Sequence, residues 1–180
     1  MASDNLDDFI EEFNGGNRTH RYDVEMNFPS GVSGVEENSL NRFFIRAVTL
    51  PPSQVNPIRV PYRGRILKWP GDRIYFPWTF RVLDQNRSDN KSLWNSFNSW
   101  SNLINDHETN ISSQEWKNFT TDWTIQQVDR EGDSIKEVKL IDCWPTIVGP
   151  ISMDANSIDT LVEFTVTVEY QYHLVKGINY

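Results

Sequence analysis

The run VEFTVTVEYQYHLV, residues 162 to 175, constrains this chain more than any other stretch. Val162, Phe164, Val166, Val168, Tyr170, Tyr172 and Leu174 alternate with Glu163, Thr165, Thr167, Glu169, Gln171 and His173. That period of two is what a β-strand needs to bury one face and expose the other. As one strand at about 3.3 Å per residue, the run would extend about 45 Å. Its apolar face requires a sheet to lie in, and its polar face, rich in Thr and Glu, must look at something other than the core.

Five further stretches read as strands. RYDVEMNF, 21 to 28, alternates Tyr22, Val24, Met26 and Phe28 against polar neighbours, and PSGVSG closes it with turn residues. RFFIRAVTL, 42 to 50, is stopped by Pro51-Pro52. IYFPWTFRVLD, 74 to 84, puts Ile74, Phe76, Trp78, Phe80 and Val82 on one face, with Pro77 marking an edge or a bulge. WTIQQVDR and SIKEVKLIDCW flank the turn-rich DREGD and read as a hairpin. Two helices are expected. One begins at a Ser3 or Asp4 cap, carries Leu6, Phe9, Ile10 and Phe13 at helical spacing and ends at Gly15-Gly16; the other starts at Ser88 or Asp89 and runs to about Asp106 with Leu93, Trp94, Phe97, Trp100, Leu103 and Ile104 as its stripe. Strands and helices do not alternate, so the expected fold is mainly β: an antiparallel sandwich or barrel-like domain with a flanking helix. At 180 residues and 38% hydrophobic content, the chain is read as one domain, residues 1 to 180.

Residues 51 to 73, PPSQVNPIRVPYRGRILKWPGDR, fit none of these elements. Prolines and glycines interleave with Ile58, Val60, Tyr62, Ile66, Leu67 and Trp69, and Arg59, Arg63, Arg65, Lys68 and Arg73 concentrate there. A connection this long in a compact domain is uncommon without a task. It reads as an extended hairpin arm turning near Tyr62 to Gly64. A basic arm on an otherwise acidic protein is suited to an acidic partner surface, which other copies of the chain would provide.

A formal net charge of −8 excludes a protein that grips nucleic acid through clustered cations, although it permits one that lets DNA pass. The lone Cys143 rules out an internal disulfide and fits a small buried residue. MASDNLDDFIEEF lacks the basic start and apolar run of a secretory signal, no stretch reaches the roughly 20 apolar residues of a membrane span, and folding in the cytoplasm without a membrane anchor is expected. Catalysis finds no foothold. His20, His107 and His173 are scattered, no phosphate loop or nucleophile elbow occurs, and Glu163 and Glu169 would sit about 20 Å apart on one strand. That exceeds the spacing of about 5 to 9.5 Å a glycosidase uses. Neither a cofactor nor a metal site is expected.

The ordered set Leu50-Pro51, Gly71-Asp72-Arg73, Trp78-Thr79, Trp144-Pro145, Val148-Gly149 and Phe164-Thr165-Val166-Thr167-Val168 resembles the tail tube proteins of contractile-tailed, T4-like bacteriophages. The resemblance extends from about residue 4 to residue 173 and departs in extra residues around 29 to 40 and after the second helix. It implies a virion protein, assembled in the bacterial cytoplasm, whose six copies close into rings. The rings stack into the inner tail tube, the conduit for DNA ejection, with sheath, tape-measure, baseplate hub and tail terminator proteins as partners. Under that resemblance the arm reaches the adjacent ring. Ile58, Val60, Tyr62 and Trp69 would bury area there, and Arg59, Arg63, Arg65 and Lys68 would pair with acids. The polar face of the closing strand, with Glu163, Thr165, Thr167 and Glu169, would line the channel. A baseplate-proximal tube initiator is an alternative within the same class. A Trp-rich carbohydrate-binding β-sandwich is one from another class, and a tail-associated lytic enzyme is a third.

Overall fold

The computed structural model describes residues 6–13, 15–33, 42–85, 92–112 and 115–178. The expected helix starts at Ser3 or Asp4 and at Ser88 or Asp89 lie outside them. Helix α1 spans Leu6–Phe13, followed by strands β1 (Tyr22–Glu25), β2 (Ile45–Ala47), β3 (Ser53–Tyr62), β4 (Arg65–Tyr75) and β5 (Trp78–Leu83). Helices α2 (Leu93–Ile104) and α3 (Trp116–Phe119) come next, then β6 (Thr121–Val128), β7 (Ser134–Val148), β8 (Glu163–Glu169) and β9 (Tyr172–Val175). Every strand pairing is antiparallel. The body is a seven-stranded sheet in the order β1-β6-β7-β8-β5-β2, with β9 also on β7, and the arm is a separate two-stranded sheet, β3-β4. The mainly β, antiparallel, barrel-like architecture with a helix packed on it, anticipated from the sequence, is the one observed, in the form of a single curled sheet.

One corner shapes the body. Along β7 the buried positions are Val138 and Leu140, then Cys143 and Pro145, so the inward-facing set changes parity at Ile141-Asp142. Asp142 takes φ 53°, and Thr121 pairs with Cys143 while Trp123 pairs with Leu140, which makes Asp142 part of a β-bulge. The backbone amide of Asp142 donates to the side chain of Asp122 at 3.2 Å, satisfying a group the ladder leaves unpaired. The neighbouring chain turns at the same level: β8 ends at Glu169, β9 begins at Tyr172, and the amide of Gln171 donates to the carbonyl of Ile141 at 3.0 Å. The expected single strand from 162 to 175 is therefore two strands meeting at this corner. The parity change moves Tyr172, 43% exposed, to the outer face, where Leu174 pairs with Lys139. His173 and Val175 instead take the side of Leu140 and Val138. A one-residue shift of this kind exchanges the two faces of a strand.

Three other expectations need correction. Residues 42 to 50 are not one strand, because Arg42–Phe44 form a 3-10 turn and only Ile45–Ala47 pair with β5. Pro77 does not lie within a strand; with Phe76 it separates β4 from β5, so Ile74 and Phe76 are exposed while Trp78, Phe80 and Val82 are buried. Helix α2 is capped at Ser92, whose side chain accepts from the amide of Asn95, and it ends at Ile104 rather than near Asp106.

The curl of the sheet is filled by α2. Phe97 and Trp100 from the helix meet Trp123 of β6 at ring distances of 6.3 and 5.8 Å, and Phe97 also meets Phe80 and Phe164. Phe28, just beyond β1, packs on Phe97, Trp100 and Trp123. Each buried tryptophan directs its indole N–H to a backbone carbonyl: Trp78 to Thr49 at 2.6 Å, Trp100 to Phe119 at 2.6 Å and Trp123 to Asn27 at 2.7 Å. The rings thus fill the core and pin three connections to it, which resolves the polar end of an otherwise apolar side chain. Cys143 is buried, and that burial raises its thiol pKa far above the ordinary range.

Candidate self-assembly surfaces

The arm is built by local chemistry. Tyr62 pairs with Arg65 around the two-residue turn Arg63-Gly64, whose φ values of 45° and 77° are the double left-handed pair of a type I′ hairpin. Gly64 suits that geometry, and Arg63 adopts it with its guanidinium 5.3 Å from the ring centre of Tyr62. Nearer the body the register slips between Val55 and Pro57. There a Cβ on Gly71 would come within 2.7 Å of the carbonyl oxygen of Asn56, so glycine permits the two backbones to approach.

Directly opposite residues of an antiparallel pair share a face. Ile58 with Trp69, Val60 with Leu67 and Tyr62 with Arg65 define one side of the arm, and Arg59 with Lys68 and Pro61 with Ile66 define the other. The arm thus has a mostly apolar face and a mixed basic face, both open: Trp69 is 62% exposed, and Ile58, Val60, Tyr62, Ile66 and Leu67 are exposed as well. Among the described residues, no ion pair engages Arg59, Arg63, Arg65 or Lys68. The hairpin proper is Ser53–Tyr75, two residues further along than the 51 to 73 read from composition. Its root is held at the corner, where Tyr75 meets Tyr170 and His173 at 6.1 and 5.0 Å.

Helix α1 is the second open element. Leu6, Phe9, Ile10 and Phe13 line one side as expected, yet all are exposed, with Phe9 at 62%. Phe9 and Phe13 stack on one another at 5.5 Å and have no other ring to pack against among the described residues.

Glu163, Thr165, Thr167 and Glu169 do share one face of β8, opposite the buried Phe164, Val166 and Val168. Their cross-strand partners there include Thr79, Arg81 and Ile147. Thr79 and Thr167 hydroxyls lie 2.9 Å apart, and Glu163 is held by Arg46 at 3.3 Å and Arg81 at 3.6 Å. The face is therefore mixed in charge around Glu163, while Glu169 has no ion pair among the described residues. Sequence reasoning missed Arg46 and Arg81. Arg81 could have been found, because it alternates with Phe80 and Val82 on β5 and so lies on the outer face. It also missed the connection between β7 and β8, where Met153, Ile158 and Leu161 are exposed beside Arg46 and Glu163. Trp78, Trp100 and Trp123 are fully buried, so they cannot form a sugar platform. Among the described residues, no group of three or more His, Cys, Asp or Glu side chains could hold a metal.

This geometry defines a class: a curled antiparallel sheet filled by one helix, with an exposed hairpin arm projecting from its corner. The same fold occurs in a chain of the anti-feeding prophage baseplate, with a TM-score of 0.61 at 13% identity, covering 91% of this chain and 97% of that one. A family model described as "Phage tail tube protein" matches residues 17–176. The tail tube protein of Serratia phage KSP90 is 28% identical over 87% of this chain and 86% of its own length. Tail tube protein gp19 of Enterobacteria phage T6 is 25% identical over 93% of this chain and 98% of its own. The chain belongs to the phage tail tube protein family. It is accordingly a structural component of a phage tail, not an enzyme.

Proposed function

We propose that six copies of this chain close into a ring, that rings stack into the inner tube of a contractile tail, and that DNA passes through the bore during ejection. The observation that carries this reading is the arm: a folded hairpin with its apolar face in solvent. Burying side chains of this size is worth about 1.5–3 kcal/mol each, so the arm is a strong driver of association once a partner covers it. The strand edges point the same way. β1, β2 and β9 each have one strand neighbour among the described residues, and unpaired edges invite extension by a second copy. The six-fold symmetrised baseplate that contains a similarly folded chain supports the ring number. It also favours a second reading, in which this copy forms only the first layer of the tube at the baseplate. Sheath, tape-measure, baseplate hub and terminator proteins are the remaining partners of such a tube.

The outer face of β8 lines the channel in this proposal. Glu169 repels phosphate, and Arg46 and Arg81 are engaged by Glu163, so the wall offers DNA few free cations. Each unpaired cation would add salt-dependent grip. Negative-stain microscopy of the purified chain tests the main claim: rings of six or hollow rods are expected, and a field of uniform monomers overturns it. Long rods from this chain alone count against the first-layer reading. A density map of the assembly with Glu163 and Glu169 facing outward would refute the channel assignment while leaving the tube in place.

A further inference from the structure

We infer that the apolar, basic arm of one copy is covered by the acidic N-terminal helix of the next copy. This rests on the self-assembly reading above and names the partner it leaves open.

Both elements leave their apolar side chains exposed among the described residues, and they match in three respects. In charge, the arm between Ser53 and Tyr75 carries five basic residues against one carboxylate, Asp72, while α1 carries four acids and no base. In pattern, α1 has a stripe of Phe9, Ile10 and Phe13 bordered by Asp7 and Glu11 on one side and Glu12 on the other, and the arm presents an apolar face backed by Arg59 and Lys68. In length, the eight residues of α1 extend about 12 Å. The apolar stretch from Ile58 to Tyr62 extends about 13 Å.

The contact is between copies because one chain holds the two elements apart. α1 leads into β1, where Tyr22 pairs with Gln127 beside the β6–β7 turn. The arm is rooted at the corner, past the other end of β6. The eight residues of β6 separate these sites by about 23 Å. Joining one end of a copy to the other end of the next is a heterologous contact, which closes into a ring where its rotation allows and otherwise propagates along an axis. A stack of rings needs that kind of joint.

Charge reversal in the full chain tests the inference. D7K/E11K/E12K should weaken rod formation about tenfold, the scale three exposed ion pairs supply. Adding R59E/R65E/K68E to the same chain should restore it. A second measurement does not depend on how those variants fold. Cys143 is buried, so F9C chains mixed with L67C chains and oxidised as rods should give a disulfide-linked dimer that neither variant gives alone. A wild-type chain that forms no rings or rods overturns both this inference and the tube reading. Wild-type rods whose F9C/L67C mixture yields no linked dimer, or rods indifferent to the helix reversal, overturn the inference alone.

Discussion

The β3–β4 arm and the β6–β7 hairpin are made from similar materials and end in opposite environments. Trp123, Ile125, Val138 and Leu140 of the body hairpin are buried, whereas Val60, Leu67 and Trp69 of the arm lie in solvent. Composition does not separate them. Neighbours do: β1 and β9 flank the body hairpin and the aromatic face of α2 covers it, while among the described residues the arm has no third strand and no helix against it. An amphipathic hairpin isolated in water is marginal, so the arm draws less stability from its surroundings than the body hairpin does.

Removing the arm is the sharpest way to break that comparison. Gln54 and Ile74 are register partners, so replacing residues 55–73 with Asn-Gly should close the strands through a short turn. Microscopy should then show stacking lost, and denaturant unfolding should show the body unaffected; a body that unfolds would mean the arm belongs to the core. Next in size is Trp123→Ala, which empties the site packed by Phe28, Phe80, Phe97 and Trp100. It should cost about 3–5 kcal/mol in chemical denaturation. The equivalent truncation of Trp69 on the arm should leave that midpoint in place. Gly71→Ala forces a Cβ against the Asn56 carbonyl and should strain the arm by about 1–3 kcal/mol. Its effect should appear as weaker stacking, not as a lower unfolding midpoint.

The smallest effect is a pH dependence at the arm root. Burial, with the nearby Arg73 charge, lowers the pKa of His173, which packs between Tyr75 and Tyr170. The unfolded chain therefore takes up the proton first. The stabilising contribution is complete above the ordinary histidine pKa of about 6.5 and is lost as pH falls through the lower folded value. Thermal unfolding between pH 7.5 and 5 should show a decline that His173→Asn reduces. In the same cluster, burial and the neighbouring Cys143 and Glu169 push the Tyr170 hydroxyl up to about 12, so it stays neutral throughout.

Much of this was legible in the chain because alternation reports faces directly. The buried sets Trp78, Phe80, Val82 and Phe164, Val166, Val168 follow from it, as does the stripe of α2. The arm was legible through its prolines, glycines and cations. The corner was not. Aromatic and polar residues keep alternating through Tyr170, Gln171 and Tyr172, and only the backbone at Asp142 and the paired turn at Gln171 reverse which set faces inward. A short-range pattern cannot register a bend created by two strands more than 25 residues apart in sequence. The same limit hid the pairing of Glu163 with Arg46 and Arg81, although alternation alone puts Arg81 on the outer face of β5.

The position of β8 in the sheet has a consequence for how the protein is made. It lies between β5 and β7, yet it comes from residues 163–169, which leave the ribosome after both of those neighbours. The hairpin at 53–75 pairs only its own two strands, both of which precede β5, β7 and β8 in the chain. During synthesis the exposed apolar residues of the arm are thus present while the body that carries them is still open. Apolar surface exposed on incomplete chains, crowded on one message, is where premature association is most favoured.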